Sequence, residues 1–211
     1  MLVMLLLGAS VAPAGEWLFS DAELQKLAAG EVLISASVAG SQGDIRGAVQ
    51  IQASPETIFR VMTDCAQALE YVPHLEQCTV LDSAEDGSWQ VFEQRIDYSW
   101  LLPPAHYVFR AEYEPYTRIR TYHISGDFRE NRGIWELHPA RDGTSTIVTY
   151  QAHVVPQFFV PRWMLRSALR RDLPEMLRRL RTRSESISRE VSTGPTGPAR
   201  PSHGRDIDSG G

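Results

Sequence analysis

Five polar side chains stand among apolar residues in the strand-like part of the chain: Gln94, Tyr98, Thr121, His123 and Tyr150. His123 is the one whose ordinary titration range includes neutral pH, so it is the candidate general acid or base. Tyr98, Tyr150 and Gln94 can donate hydrogen bonds that polarise a substrate carbonyl. We find no carboxylate at the neighbouring inward positions that could pair with His123 as a second acid or base. The alternative to a catalytic His123 is a core histidine with satisfied hydrogen bonds.

The two cysteines, Cys65 and Cys78, form the second group with its own chemistry. In an exported protein an even pair is typical of a disulfide. The alternative is two buried free thiols. Their spacing is unlike that of zinc ligands, and the sequence holds no GxSxG, HExxH, Walker or GxGxxG segment. We therefore predict a Cys65–Cys78 disulfide, no metal site and no cofactor.

The alternation of apolar and charged residues along the predicted strands separates two faces of a sheet. One face carries charges of both signs, and we assign it to solvent. The other is rich in aromatic residues, and we predict that it surrounds a cavity for a small hydrophobic ligand. The predicted ligand-binding residues are Phe92, Gln94, Tyr98, Tyr107, Phe109, Thr121, His123, Trp135 and Tyr150 on strands, with Leu165 and Leu169 on the last helix.

These residues must be positioned by the extended segments that fill most of residues 31–154. Capping signals predict a first helix over 21–29 and two short helices within 55–71. Short turns between the strands imply an antiparallel meander, because parallel neighbours need long crossovers. Leucines at steps of three and four predict a final helix from Pro161 to Arg183, kinked at Pro174. The predicted fold class is α+β, a curved antiparallel sheet wrapped around a long C-terminal helix, with two short helices between the early strands.

Two predicted loops at one end of this sheet carry apolar side chains, which are unusual on loops. Leu101 and Leu102 lie on one; Phe158 and Phe159 lie on the other, with Trp163 just inside the helix. We predict that these residues form a portal through which the ligand enters. We also predict that the rim of this portal docks on an anionic membrane surface through nearby arginines. The alternative is that the two loops pack on each other as a plug.

Both ends of the chain differ from its middle. Residues 1–14 form an apolar run that ends in Ala12-Pro13-Ala14, which predicts a signal peptide cleaved before Gly15 and a periplasmic or secreted protein. The alternative is a disordered start. We assign 15–30 to an N-terminal helical segment, 31–183 to one domain, and 184–211, rich in Gly, Pro and Ser, to a disordered tail.

The net charge of −5 argues against nucleic-acid binding.

The order of elements, with the run Ser54 to Phe59 (SPETIF) opening a helix, resembles the START-like or helix-grip superfamily, often called SRPBCC. The stretch from Thr63 to Leu81 is similar to its polyketide cyclase/dehydrase and coenzyme-Q-binding branch. The runs Asp97 to Pro103 and Arg170 to Met176 strengthen the likeness. The resemblance spans about Glu31 to Arg183. It implies the helix-grip fold, and members of this superfamily include lipid carriers, receptors and cyclases.

Three functional hypotheses follow. The first is an exported protein that binds or transfers a lipid, quinone or polyketide-like molecule in an aromatic-lined cavity. The second is a polyketide cyclase or dehydratase that uses His123. The third is a non-catalytic interaction module whose contact surface is the basic end of the last helix, Arg178 to Arg183.

Overall fold

The computed structural model describes residues 19–97 and 104–192. The helices are α1 (Asp21–Ala28), α2 (Pro55–Thr63), α3 (Cys65–Tyr71) and α4 (Arg162–Ser192). The strands are β1 (Leu33–Ala39), β2 (Gln42–Ile51), β3 (Leu75–Ser83), β4 (Trp89–Ile96), β5 (Ala105–Glu114), β6 (Arg118–Gly126), β7 (Phe128–Pro139) and β8 (Thr146–Pro156). The predictions for residues 1–14, Tyr98, Leu101, Leu102 and 193–211 lie outside the described residues.

The strands form one eight-stranded sheet in the order β1-β2-β8-β7-β6-β5-β4-β3. Neighbouring strands pair antiparallel throughout. From β3 to β8 each strand pairs with the next along the chain, because its connection is too short for a parallel crossover. The predicted antiparallel α+β fold is confirmed.

The short helices begin where the capping signals predict them. Ser20 and Glu23 form a reciprocal capping box at the start of α1. The Ser54 hydroxyl accepts a hydrogen bond from the Thr57 amide at 3.2 Å, and Pro55 occupies the first turn of α2. Asp64 accepts from the Ala66 amide at 2.8 Å and caps α3. These caps fix α2 and α3 in the connection between β2 and β3.

Helix α4 lies against the sheet at two glycines of β2. A Cβ atom on Gly43 would stand 2.9 Å from Leu169 Cδ1, and one on Gly47 would stand 2.8 Å from Leu177 Cδ1. Glycine in a strand allows this close approach of a neighbouring element. Leu173, Leu177 and Leu180 are buried there in the main core.

The predicted end of the last helix at Arg183 is wrong, and so is the start of the tail at 184, because α4 continues to Ser192. The buried stripe continues through Ser184, which is fully buried, and Ile187, which packs against the core. Glu185 also accepts a hydrogen bond from the Gln52 amide at 3.0 Å. The sequence pattern missed this extension because a serine occupies a core-facing position. None of the described helices has an apolar stretch long enough to cross a membrane.

Candidate ligand-binding cavities

A small cavity of about 140 Å³ lies between the α2–α3 pair and the concave face of the sheet. Its walls include seven of the predicted ligand-binding residues: Phe92, Gln94, Tyr107, Phe109, Thr121, Trp135 and Tyr150. The alternation of residues along the predicted strands therefore identified the sheet side of this cavity. The prediction missed the helix side, which includes Met62, Tyr71 and Met176. Alternation along the strands carries no information about which helix residues contact the sheet.

Stacked aromatic rings form much of the small cavity. The Trp135 and Tyr150 rings lie 3.9 Å apart between centroids, and Phe92 stacks on Phe109 at 5.4 Å. Gly133 makes room for Tyr150, since a Cβ there would stand 3.2 Å from Tyr150 Cε2. Such aromatic contacts hold the walls at fixed positions.

Several polar side chains of the small cavity have hydrogen-bond partners within the protein. Tyr107 Oη donates to Gln94 Oε1 at 2.7 Å, and Gln94 Nε2 lies 3.6 Å from Cys78 Sγ. Tyr71 Oη donates to the Met62 carbonyl at 3.3 Å, and Tyr113 Oη donates to Gln90 Oε1 at 2.8 Å. Burial raises the pKa of Tyr71 and of Tyr113 well above the usual tyrosine range, because the buried anion loses its hydration.

The predicted disulfide is present, and it borders the small cavity. Cys65 begins α3 and Cys78 lies in β3, with their Cα atoms 5.4 Å apart. The bridge joins α3 to an edge strand of the sheet. The described residues hold no group of three or more His, Cys, Asp or Glu side chains suited to a metal ion.

A larger cavity of about 580 Å³ adjoins the first and lies between α4 and the end of the sheet near the predicted portal. Its lining includes Leu165 and Leu169, as predicted, and is mostly apolar. Five residues line both cavities: Val72, Tyr107, Asn131, Tyr150 and Met176. The two cavities are therefore neighbouring compartments of one interior.

Three charged or titratable residues of the large cavity were missed by the sequence analysis: His74, Arg171 and Asp172. Asp172 Oδ1 lies 2.9 Å from Arg171 Nε and 3.7 Å from His74 Nε2. The signal was available for Asp172, because it falls three residues after Leu169 and seven after Leu165, on the apolar stripe of α4.

The described part of the predicted portal lies at the large cavity. Phe158 and Trp163 line it, and the Trp163 residue is 68% exposed. Phe159 does not line it and is 83% exposed. Phe159 and Trp163 are thus two large, exposed apolar side chains four residues apart in the sequence.

His123, the predicted acid or base, is not among the residues that line either cavity. It pairs with Phe109 across the β5–β6 ladder, next to a bulge, and is half-buried. Its Nδ1 atom is buried and has no hydrogen-bond partner among the described residues. The predicted catalytic group is therefore separated from the cavity space that would hold a substrate.

The basic end of α4 makes contacts within the molecule. Arg178 and Arg179 form ion pairs with Glu175, Arg181 donates to the Gly30 carbonyl at 2.8 Å, and Arg183 donates to Gln67. The contacts of Arg181 and Arg183 attach α4 to the rest of the domain, whereas Arg178 and Arg179 pair with Glu175 within α4 itself.

A curved antiparallel sheet closed by a long C-terminal helix around an apolar interior defines a helix-grip ligand-binding domain. Residues 51–181 match the family model described as polyketide cyclase/dehydrase and lipid transport. The chain belongs to this START-like family. No curated protein sequence matches it.

Solved structures with the same fold come from several bacteria. A STAR-related lipid transfer protein from Xanthomonas axonopodis superposes with a TM-score of 0.63 at 17% identity, covering 72% of this chain and 93% of its own. The Zhui aromatase/cyclase from a Streptomyces species gives 0.59 at 16% identity, covering 71% and 96%. A START superfamily protein from Mycobacterium smegmatis gives 0.58 at 20%, covering 68% and 98%. At these identities the likeness establishes the fold.

Proposed function

We propose that this protein binds an apolar small molecule in the large cavity and carries it outside the cytoplasm. The supporting observation is the cavity of about 580 Å³ with a mostly apolar lining, which falls within the usual size range of ligand pockets. The lipid transfer protein among the structural neighbours is consistent with such a role. The cyclase alternative needs an acid or base beside the substrate, and His123 lines neither cavity.

Native mass spectrometry of the protein purified from its host tests the binding function. We expect an additional bound mass that is lost on denaturation, because an apolar cavity of this size retains its ligand during purification. Lipid extraction of the same sample then identifies the ligand class. Empty protein that also fails to take up fatty alcohols, quinones or sterols would overturn the proposal.

We also propose that the exposed pair Phe159 and Trp163 docks the cavity mouth on an anionic bilayer. Arg162 and Arg166 are exposed on the same first turns of α4 and supply the positive charge. Flotation with phosphatidylglycerol vesicles should recover the wild-type protein, and Phe159→Asp with Trp163→Asp should abolish recovery. Val191→Asp is the matched control, because Val191 is 75% exposed near the far end of α4. Equal recovery of both variants would exclude docking at this rim.

Export is the third part of the proposal. The apolar run of residues 1–14 and the Cys65–Cys78 disulfide support it, because disulfides persist in oxidising compartments. Fractionation of host cells and intact-mass measurement should give a periplasmic or secreted protein that begins at Gly15. An uncleaved protein in the cytoplasmic fraction would overturn this part and leave ligand binding untouched.

A further inference from the structure

Asn131 lies where the two cavities meet. It lines both of them, and it is the only asparagine in the chain. On β7 it belongs to the inward-facing set that continues with Gly133 and Trp135, because alternate residues of a strand point to the same side. The β6–β7 ladder ends at Tyr122 and Arg132, so Asn131 has no paired residue on β6. Its side chain therefore points into the interior at the boundary between the two compartments.

The side-chain amide of Asn131 is accessible from this interior. Among the described residues no group hydrogen-bonds to it, and neither Oδ1 nor Nδ2 is one of the buried polar atoms that lack accessible surface. The residue as a whole is half-buried. The amide of Gln94 differs, because that residue is buried and its Oε1 accepts a hydrogen bond from Tyr107 Oη at 2.7 Å. A small molecule can therefore reach the amide of Asn131.

The surroundings of Asn131 favour an uncharged ligand group. Four other residues line both cavities, and none of them carries a formal charge: Val72, Tyr107, Tyr150 and Met176. An ion among these side chains would lose hydration without gaining a counter-charge. The charged groups of the large cavity are Arg171 and Asp172 on α4, with His74 beside them, and the Arg171 side chain is 67% exposed. An ionised ligand group has its partners there, on the exposed side of the cavity.

We propose that Asn131 selects and orients the ligand of the large cavity. The ligand is an apolar molecule whose innermost end carries an uncharged hydroxyl or carbonyl group, which bonds to the Asn131 amide. A primary amide both donates and accepts, so it can bond to either group. Ligand pockets typically use a few such polar groups to fix orientation. The inference rests on the proposed binding function and adds to it the chemistry of the ligand's inner end.

The single asparagine allows a direct test on the full wild-type chain. Protein labelled with ¹⁵N-asparagine gives one pair of side-chain NH₂ signals, that of Asn131. Dodecanol carries a hydroxyl, and 1-chlorododecane has a similar length but is a poor hydrogen-bonding partner. Each is added to the same occupancy, measured by displacement of Nile red. We expect dodecanol to shift the NH₂ pair downfield, as hydrogen bonding does, and 1-chlorododecane to leave it without a downfield shift.

Asn131→Leu measures the same contact as an affinity, because leucine keeps the approximate shape of asparagine and removes both hydrogen-bonding atoms. An uncharged hydrogen bond is typically worth severalfold, so the variant should bind dodecanol about fivefold more weakly than wild type. It should bind 1-chlorododecane at least as well. Comparing the two changes cancels the difference in hydration between the probes. Gln25→Leu, which removes an exposed amide on α1, is the matched control and should change neither affinity.

The possible outcomes separate this inference from the proposed function. If wild-type protein binds neither Nile red nor either probe, the proposed function fails. If both probes bind but dodecanol leaves the NH₂ pair unchanged, or if Asn131→Leu weakens both probes equally, the ligand's polar end lies elsewhere. The inference then fails while binding stands. The NMR comparison uses no variant, so misfolding of Asn131→Leu would leave that test intact.

Discussion

The two cavities share one interior but differ in how their polar atoms are satisfied. In the small cavity, the Tyr107 hydroxyl bonds to Gln94, and Tyr71 and Tyr113 bond to nearby acceptors. In the large cavity, Asp172 presents a buried oxygen without a partner among the described residues. A satisfied polar network rigidifies a core, and a buried oxygen without such a partner adds no hydrogen bond to the packing around it. The small cavity is therefore packed as part of the structural core, and the large cavity is the one for which we propose ligand binding.

Removal of the disulfide should give the largest effect and should act on stability. Cys65→Ala with Cys78→Ala opens a bridge of sequence separation 13. A loop of this size is worth about 3 kcal/mol in unfolding free energy, because the bridge restricts the unfolded chain. Urea unfolding measures the loss, and Nile red binding in the large cavity should persist under native conditions.

Wild-type protein in reductant is the control for this pair of substitutions, since it should unfold at the same urea concentration as the variant. A wild-type midpoint that does not change with reductant would contradict a stabilising bridge. Loss of Nile red binding by the folded variant would show that the bridge also shapes the large cavity.

A matched pair of alanine substitutions tests the contrast between the cavities directly. Ala111→Phe adds a ring beside the small cavity and should lower stability by about 1–3 kcal/mol through overpacking. Ala168→Phe adds the same ring to the large cavity, where the space is about four times greater, and should leave stability nearly unchanged. It should instead weaken Nile red binding by about tenfold.

Thermal unfolding and Nile red titration of both variants provide the two readouts. Two results would contradict the proposed difference between the cavities: Ala168→Phe proves as destabilising as Ala111→Phe, or Ala111→Phe alone abolishes Nile red binding. The first result would remove the difference in packing between the two cavities, and the second would assign the ligand to the small cavity.

Alkaline pH should give a smaller effect that originates in the small cavity. Burial raises the pKa of Tyr71 and Tyr113, so the folded protein keeps protons that the unfolded chain loses above pH about 10. Their stability contribution is fully present below that pH and is lost as the pH rises through the raised values. For Tyr71 alone the loss approaches about 1 kcal/mol by pH 11.

Urea unfolding between pH 9 and about 11 measures this slope. Tyr71→Phe with Tyr113→Phe should flatten it, and Tyr122→Phe, on the exposed side of β6, should not. A slope that is the same in the double variant and the wild type would mean that the two hydroxyls ionise without cost to the fold.

The pattern of residues predicted the local elements and the sheet side of the cavity well. Ser20, Ser54 and Pro55 marked helix starts because capping depends on residues close in sequence. The alternation along the strands placed Phe92, Tyr107 and Trp135 on one face of the sheet, because alternate residues of a strand point to the same side. The end of α4 and the helix side of the cavity depended on contacts between distant segments, as the buried Ser184 illustrates.

The sequence by itself determined the order of elements, the antiparallel pairing and the apolar stripe of α4, because these follow from periodicity, caps and turn lengths. Only the tertiary structure decided which side chains surround empty space. It separated His123 from both cavities and brought His74 to 3.7 Å from Asp172, 98 positions later in the numbering. The physical reason is that cavity position depends on how α4 packs across the sheet, which glycines at 43 and 47 permit but no local pattern specifies.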